Sequence, residues 1–518
     1  MEVIMFVTAY SPYGAEGIII RVEADIRRGI PGIDVTGLAQ GAVREARERV
    51  RAAFRNSGYM FPQDRILINL APAGVRKDGA SLDLPIAISV MAAAGLVPPV
   101  NNVMVLGELE LSGILRPVRG VLAAIAAGLK AGIEDFIVPA ENAGEAGILA
   151  QNHCAAVINL AQAVEALRIR AETGSLPSTA IPPLHTQCSA CFLDFSEVRG
   201  QARYKRALEI AAAGSHNLLV FGPPGAGKTM LARRLPSITA PLLPLEAVEV
   251  TSLHSLSGQH DQIALFHEPP FRTPHHSASP EGILGGGKNV RPGEISLAHF
   301  GTLFLDEAPE FQRSVLQSLR EPLEDGVITI SRAEGPVRLP ADFQLLLAAN
   351  TCPCGRLGMR QPNGNVVASC FCSPEEIHRY WRKFGAALLD RVELRIAVNA
   401  PDISMLMTNT EETSADVSRR VLKAVHIQRK RFEQTAVRRN ARMTSTLIDQ
   451  HCPLSLKSEL TVQSAVANLG LSGRSFHSII RVARTIADLE ESDTIQTVHI
   501  EEAIDYRRQG DDPFDIFG

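Results

Sequence analysis

The run Gly222-Pro223-Pro224-Gly225-Ala226-Gly227-Lys228-Thr229 satisfies the pattern G-x-x-x-x-G-K-[ST]. Glycines at these spacings let successive backbone N–H groups converge on a phosphate. The ammonium then reaches the β and γ phosphates, and the hydroxyl after it ligates Mg²⁺. Apolar residues precede the run and a helix is expected to start near Thr229, so a helix N-terminus faces the anion. Downstream, Leu303-Phe304-Leu305-Asp306-Glu307 is an apolar strand ending in two carboxylates. Asp306 suits Mg²⁺, directly or through water, and Glu307 suits polarising an attacking water. A further apolar strand runs from Phe343 to Asn350. Its terminal amide either helps to place that water or simply ends a strand at a turn. The chemistry these groups would do together is phosphoryl transfer from ATP to water, with Mg²⁺.

Two arginines and four cysteines stand further from this centre. Arg391 closes Leu388-Leu389-Asp390-Arg391. By residue type it fits a salt bridge with Asp390 or an arginine finger on a neighbouring subunit's γ-phosphate. Arg474, in Leu471-Ser472-Gly473-Arg474-Ser475, opens a helix and could sense nucleotide from a lid. Cys352, Cys354 and Cys370, Cys372 flank a 15-residue loop. Four thiols in two pairs could hold a structural Zn²⁺, although C-x-C is tighter than the usual C-x-x-C, and free thiols are the alternative. Cys188 and Cys191 alone cannot close a four-ligand site and read as incidental.

The elements that must position these groups alternate. From about 194 the order is helix 200–213, strand, phosphate loop, helix, an irregular insertion over 236–298, strand, helix 311–324, hairpin 327–339, strand. Strands alternating with helices imply a parallel sheet. Before this core, strands at 18–26 and 65–72 and helices at 41–58, 84–95, 121–132 and 141–149 make a mixed α/β domain. Beyond about 402 the pattern is almost wholly helical. The expected organisation is a domain over 1–170, a Pro/Ser/Thr-rich linker over 171–193, the nucleotide-binding core over 194–400 and a helical domain over 401–518.

Composition narrows the partners. At 45% hydrophobic and 21% charged the chain is ordinary globular protein, and a net charge of −4 excludes a generally basic polymer binder. The longest apolar run, near Ile86–Val100, is broken by Pro85, Gly95, Pro98 and Pro99, so no membrane contact is expected. The N-terminus lacks the marks of a signal peptide, and eight cysteines are no disulfide framework; a cytoplasmic location is expected. Between Arg419 and Arg442 nine Lys/Arg accompany one Glu, a stretch able to meet phosphate or to form a solvated outer wall.

These motifs jointly resemble the YifB/ComM family of magnesium-chelatase-like AAA+ ATPases. The resemblance covers nearly the whole chain. It rests on DFSEVRGQARYKRALEIAAAGSHNLLVFGPPGAGKT, FRTPHHSAS, RPGEISLAHFGTLFLDEAPEF, LREPLEDGVITISRA, LLDR and SGRSFHSIIRVARTIADLE. It implies an AAA+ P-loop core with a parallel sheet and helical lid, and a homo-hexameric ring with ATP between subunits. It makes Asn350 sensor 1, Arg391 the trans-acting finger and Arg474 sensor 2. It also implies a presensor-1 hairpin near 327–339 and a helix-2 insert within 258–292, both facing the pore. Arg332 in the hairpin, with Lys288 and Arg291 in the insert, are then the DNA candidates. Single-stranded and branched DNA are the implied partners, with recombination proteins, and the implied activity is branch migration during natural transformation. Ala308, Thr351 and the stretch 383–387 depart from the usual family residues without removing a catalytic group.

Residues 1–168 resemble the Lon-type protease domain, a ribosomal S5 domain 2-like α/β fold, through RKDGASLDLPIAI and LELSGILRPVRGVLAAIAAGLKAGIEDFIVP. Ser81 falls at the nucleophile, but Ala124 stands where the catalytic lysine belongs, and Lys130 points elsewhere around the helix. A Ser–Lys dyad needs an amine to take the serine proton, so the domain is expected to be proteolytically inactive. Three functions stay in competition: a DNA motor, a chelatase-type remodeller of a protein partner, and, least, a Lon-like protease.

Overall fold

Alternation of buried and exposed side chains builds the first sheet. In the strand Arg65–Ala71, Ile66, Ile68 and Leu70 are buried while Arg65 faces solvent. The computed structural model describes residues 6–37, 41–73, 77, 80–177, 193–258, 265–287, 290–332, 335–358, 370–399 and 411–508. In its N-terminal part seven strands lie in the order Gly32–Thr36, Arg65–Ala71, Ile18–Arg27, Phe6–Ser11, Val103–Val105, Asp135–Pro139, Cys154–Val157. Period-2 alternation sends Val7 and Ala9 to one face and Tyr10 to the other, so two cores form. Helices Gly41–Asn56, Asp83–Ala93 and Leu160–Thr173 cover the first face. Val121–Lys130 and Ala143–Ala150 cover the second. The helix Leu160–Thr173 runs into the start of the expected linker. Cys188 and Cys191 lie outside the described residues.

The second sheet is wholly parallel, in the order Phe271–Arg272, Thr302–Leu305, Gln344–Ala349, Leu218–Phe221, Leu394–Ala397. Its three central strands are buried on both faces and read as largely apolar runs, as parallel strands do. Two expectations need correction. The insertion 236–298 is not irregular throughout: it holds the helix Pro244–Ser257, the edge strand Phe271–Arg272 and a small hairpin of Gly285–Gly286 with Arg291–Pro292. The expected helix 311–324 is two short helices, Arg313–Ser318 and Arg320–Asp325. The hairpin pairs Val327–Ile330 with Val337–Pro340 as expected.

Helices Ser414–Arg431, Ser445–His451, Leu456–Asn468, Gly473–Leu489 and Thr497–Arg508 form the helical part. They share one core with the helix Ala202–Gly214. The basic stretch 419–442 divides: Arg419, Lys423 and Lys430 are exposed, while others pair with acidic groups of the packed elements. Arg420 pairs with Glu209 and Glu412, Arg431 with Asp488, Arg438 with Glu246 and Arg442 with Asp342. Burial pushes Arg439 down to about 10. The N-terminal part docks on the helix Pro244–Ser257. There Gly120 N donates to Ser255 Oγ at 2.9 Å, Leu256 enters the core around Tyr10, and buried Glu145 contacts Ser255.

Candidate nucleotide site

Three adjacent strands end at one edge of the parallel sheet. Leu218–Phe221 leads into the glycine-rich loop, Thr302–Leu305 into Asp306 and Glu307, and Gln344–Ala349 into Asn350. Parallel pairing alone brings these three tips together, since ligands of such sheets sit beyond the carboxyl ends of the strands. They line a cleft of about 480 Å³ with Pro224 to Met230, Ala348 and Ala349.

Within it the loop has the geometry a phosphate requires. Gly225 and Gly227 take φ +79° and +83°, the left-handed region where a side chain is strained. Thr229 Oγ1 donates to Asp306 Oδ2 at 2.8 Å, so hydroxyl and carboxylate already share the place of a cation. Lys228 Nζ donates to Gly222 O (2.7 Å), Pro223 O (2.9 Å) and Asn350 Oδ1 (3.1 Å). Burial pushes its ammonium down to about 8, against the pull of Asp306 and Glu307. Glu307 itself sits at φ +48°, a strained conformation that ends the strand and leaves its carboxylate exposed. Two supports were not foreseen from sequence. Tyr204 donates to Lys228 O at 3.1 Å, and Gln201 Nε2 donates to Ala226 O at 3.1 Å, so the helix Ala202–Gly214 holds the loop. Only their place in the segment just before the loop could have marked them.

Arg391 and Arg474 are elsewhere. Asn217, at the opposite end of the strand that leads to the loop, donates from Nδ2 to Arg391 O at 2.8 Å. Arg391 therefore stands a full strand length from its own phosphate loop. Both arginines bind Glu324, Arg474 through Oε1 at 2.5 Å. Arg391 and Arg474 beside it hold the Glu324 carboxyl below the usual range. The expected Asp390–Arg391 salt bridge does not form: Asp390 pairs with Arg507 at 3.0 Å and accepts from Ser472 at 2.9 Å. Arg391, Arg442, Arg474 and Arg481 line a second cavity of about 250 Å³ with Glu324, Asp390 and Glu393.

The remaining candidates divide. Arg332 is exposed and donates to Gly287 O, so the hairpin touches the Gly-rich insert; Arg291 is exposed beside it, and Lys288 lies outside the described residues. The Sγ atoms of Cys352, Cys354, Cys370 and Cys372 lie within 4.8 Å of one another. In the N-terminal part Ser81 Oγ is buried with no hydrogen-bond partner among the described residues, and Ala124 is fully buried. Lys130 points out, 4.0 Å from Glu16, and Lys77 donates to Gly37 O and Pro72 O. Among the described residues no helix is long and apolar enough to cross a membrane.

A P-loop, an acidic pair and a polar strand tip on a five-stranded parallel sheet, with a helical lid, define an ATPase of the AAA+ class. Family models described as "Subunit ChlI of Mg-chelatase", "Magnesium chelatase, subunit ChlI" and "Magnesium chelatase, subunit ChlI C-terminal" match residues 22–142, 194–406 and 411–507. The chain is 40% identical to the Salmonella typhimurium protein YifB, covering 94% of each. It is also 40% identical to the competence protein ComM of Haemophilus influenzae, covering 95% of each. Its N-terminal part is 31% identical to Lon protease 2 of Bacillus subtilis over 143 residues, 27% of this chain and 25% of that one. The chain belongs to the YifB/ComM family of magnesium-chelatase-like AAA+ ATPases. Membership implies ATP as substrate and Mg²⁺ as its cofactor.

Proposed function

We propose that this protein is a cytoplasmic ring motor, a homo-hexamer that hydrolyses ATP between subunits and drives branch migration on DNA during recombination. Lys228 binds the β and γ phosphates, Thr229 and Asp306 hold Mg²⁺, Glu307 polarises the attacking water and Asn350 orients it. Arg391 and Arg474 complete the neighbour's site. The observation that carries this reading is the place of Arg391: it lies one strand length from its own loop, in a cavity where Arg442, Arg474 and Arg481 gather. Four arginines around three carboxylates suit an anion supplied from outside the chain. The likeness to the protein named competence protein ComM supports DNA as the track. The contact between Arg332 and Gly287 supports a shared pore surface of hairpin and insert, gripping backbone phosphates.

The test is hydrolysis with and without single-stranded DNA, and resolution of a forked or four-way junction. Stimulation and resolution, both abolished by Lys228→Ala or Glu307→Gln, are expected. Hydrolysis that ignores DNA, with no junction resolved, refutes the DNA motor and favours remodelling of a protein partner.

A further inference from the structure

Immediately beyond the polar strand tip at Asn350, the chain forms a tight knuckle. Cys352 is fully buried and Cys354 exposed, and Cys370 and Cys372 face them. The distances are Cys352 Sγ to Cys354 Sγ 3.4 Å, Cys354 to Cys370 3.6 Å, and Cys370 to Cys352 3.6 Å. These are far beyond the S–S bond of about 2.05 Å. They match the edge of a tetrahedron with zinc–sulfur bonds of about 2.3 Å, which is about 3.8 Å. Backbone amides already point at the sulfurs. Leu357 N donates to Cys352 Sγ at 3.4 Å, and the amides of Arg356 and Phe371 donate to Cys354. Such donors offset the negative charge that four thiolates gather around one divalent ion. With four sulfurs and no further side-chain ligand among the described residues, the set is closed and soft, which selects zinc over Mg²⁺ or Ca²⁺.

The knuckle also touches the nucleotide cleft twice. Thr351, between Asn350 and Cys352, is buried; its hydroxyl donates to Leu357 O at 2.8 Å and its carbonyl accepts from Trp381 Nε1 at 3.1 Å. Gly355, at φ +73°, packs so closely on the phosphate loop that a Cβ there would meet Pro224 Cγ at 2.8 Å. We propose that Cys352, Cys354, Cys370 and Cys372 bind one Zn²⁺ as a closed tetrathiolate site, and that this metal knuckle buttresses Asn350 and the phosphate loop. The knuckle then fixes two sides of the γ-phosphate position, and its loss lets both drift. The second clause rests on the ATPase reading above; the first does not.

The experiment uses the full chain, purified without chelator. Elemental analysis is expected to give one zinc per chain. After release with a mercurial and a chelator, refilling with Co²⁺ is expected to give the intense d–d and sulfur-to-cobalt charge-transfer bands of a tetrahedral thiolate site. Substoichiometric zinc with no such cobalt spectrum overturns the metal site. Binding of a fluorescent ATP analogue or turnover is expected to weaken by roughly 10-fold or more in metal-free protein, as a displacement near 1 Å does, and to return with Zn²⁺. Metal loss that leaves both unchanged overturns the buttress. A Cys370→Ser/Cys372→Ser variant that loses metal but keeps its circular dichroism and melts cooperatively supports the same reading by mutation. Wild-type protein with a full zinc complement but no turnover would instead refute the ATPase assignment, and the metal count would stand.

Discussion

Replacing Arg391 by Ala in one preparation and Lys228 by Ala in another gives two proteins, each expected to hydrolyse ATP poorly for a different reason. The first has a sound phosphate loop but offers no finger. The second has a finger but no usable loop. From Asn217, which holds Arg391 O, to Gly222 is a run of five residues. At about 3.3 Å per residue that is roughly 17 Å. An arginine side chain, about as long as two extended residues, reaches roughly 7 Å. Arg391 therefore falls short of its own γ-phosphate by about 10 Å, more than any rotamer change recovers. An arginine finger is worth about 10³ to 10⁵ in kcat, so each parent should be nearly silent. In an equal mixture that exchanges subunits, half the loops are sound and half of their neighbours carry a finger. About one site in four is then complete, and hydrolysis in a coupled-enzyme assay should rise to about a quarter of wild type. If mixtures at every ratio stay at the weighted sum of the parents, Arg391 does not act across subunits and the intersubunit site is wrong.

Glu307→Gln removes the carboxylate proposed to polarise water but leaves the phosphate loop intact, so nucleotide affinity should hold while turnover falls by about 10² or more; parallel loss of both would move Glu307 into binding. Burial pushes Lys228 down from 10.5 to about 8, so the folded state disfavours its proton. That cost is full below about pH 8 and fades as pH rises toward 10.5. ATP needs the ammonium, so its affinity should fall as pH rises through about 8; a flat profile between about pH 7 and 9.5 contradicts the buried, carbonyl-capped lysine. Glu324 pairs with both arginines, so in the proposed intersubunit site it would compete with the neighbour's γ-phosphate for them. The two contacts are partly exposed, worth about 0.2–1 kcal/mol each, so Glu324→Gln should lower the ATP concentration for half-maximal turnover by roughly 2- to 30-fold. An unchanged or raised value removes Glu324 as a placeholder.

The nucleotide cleft was readable residue by residue, because each of its parts is a strand followed by its own turn. Gly225 and Gly227 announce positive φ, and Leu303 to Leu305 announce a buried strand that exposes Asp306 and Glu307 at its end. Elements that depend on remote packing read less well. The helix Pro244–Ser257 was lost inside an insertion rich in turn residues, yet it is the platform on which the N-terminal part rests. The basic stretch 419–442 reads in sequence as either a phosphate surface or a solvated wall, because the acidic partners of some of its residues, Glu209, Glu246, Asp342 and Asp488, are scattered along the chain. Asp390 was the obvious partner of Arg391 by adjacency, but the turn sends the two side chains to different partners.

By itself the sequence determined the family, the phosphate chemistry and the identity of the groups at the three strand tips. Those depend on residue types within a few positions of one another. The tertiary structure alone decided which remote groups meet. It put Glu324 between Arg391 and Arg474, separations of 67 and 150 residues. It set Arg391 one strand length from its own loop and closed Cys352, Cys354, Cys370 and Cys372 into one knuckle against Pro224. The reason is physical: strand order and helix packing fix distances between segments that no local spacing encodes, and the charges and thiols then take the partners the backbone delivers.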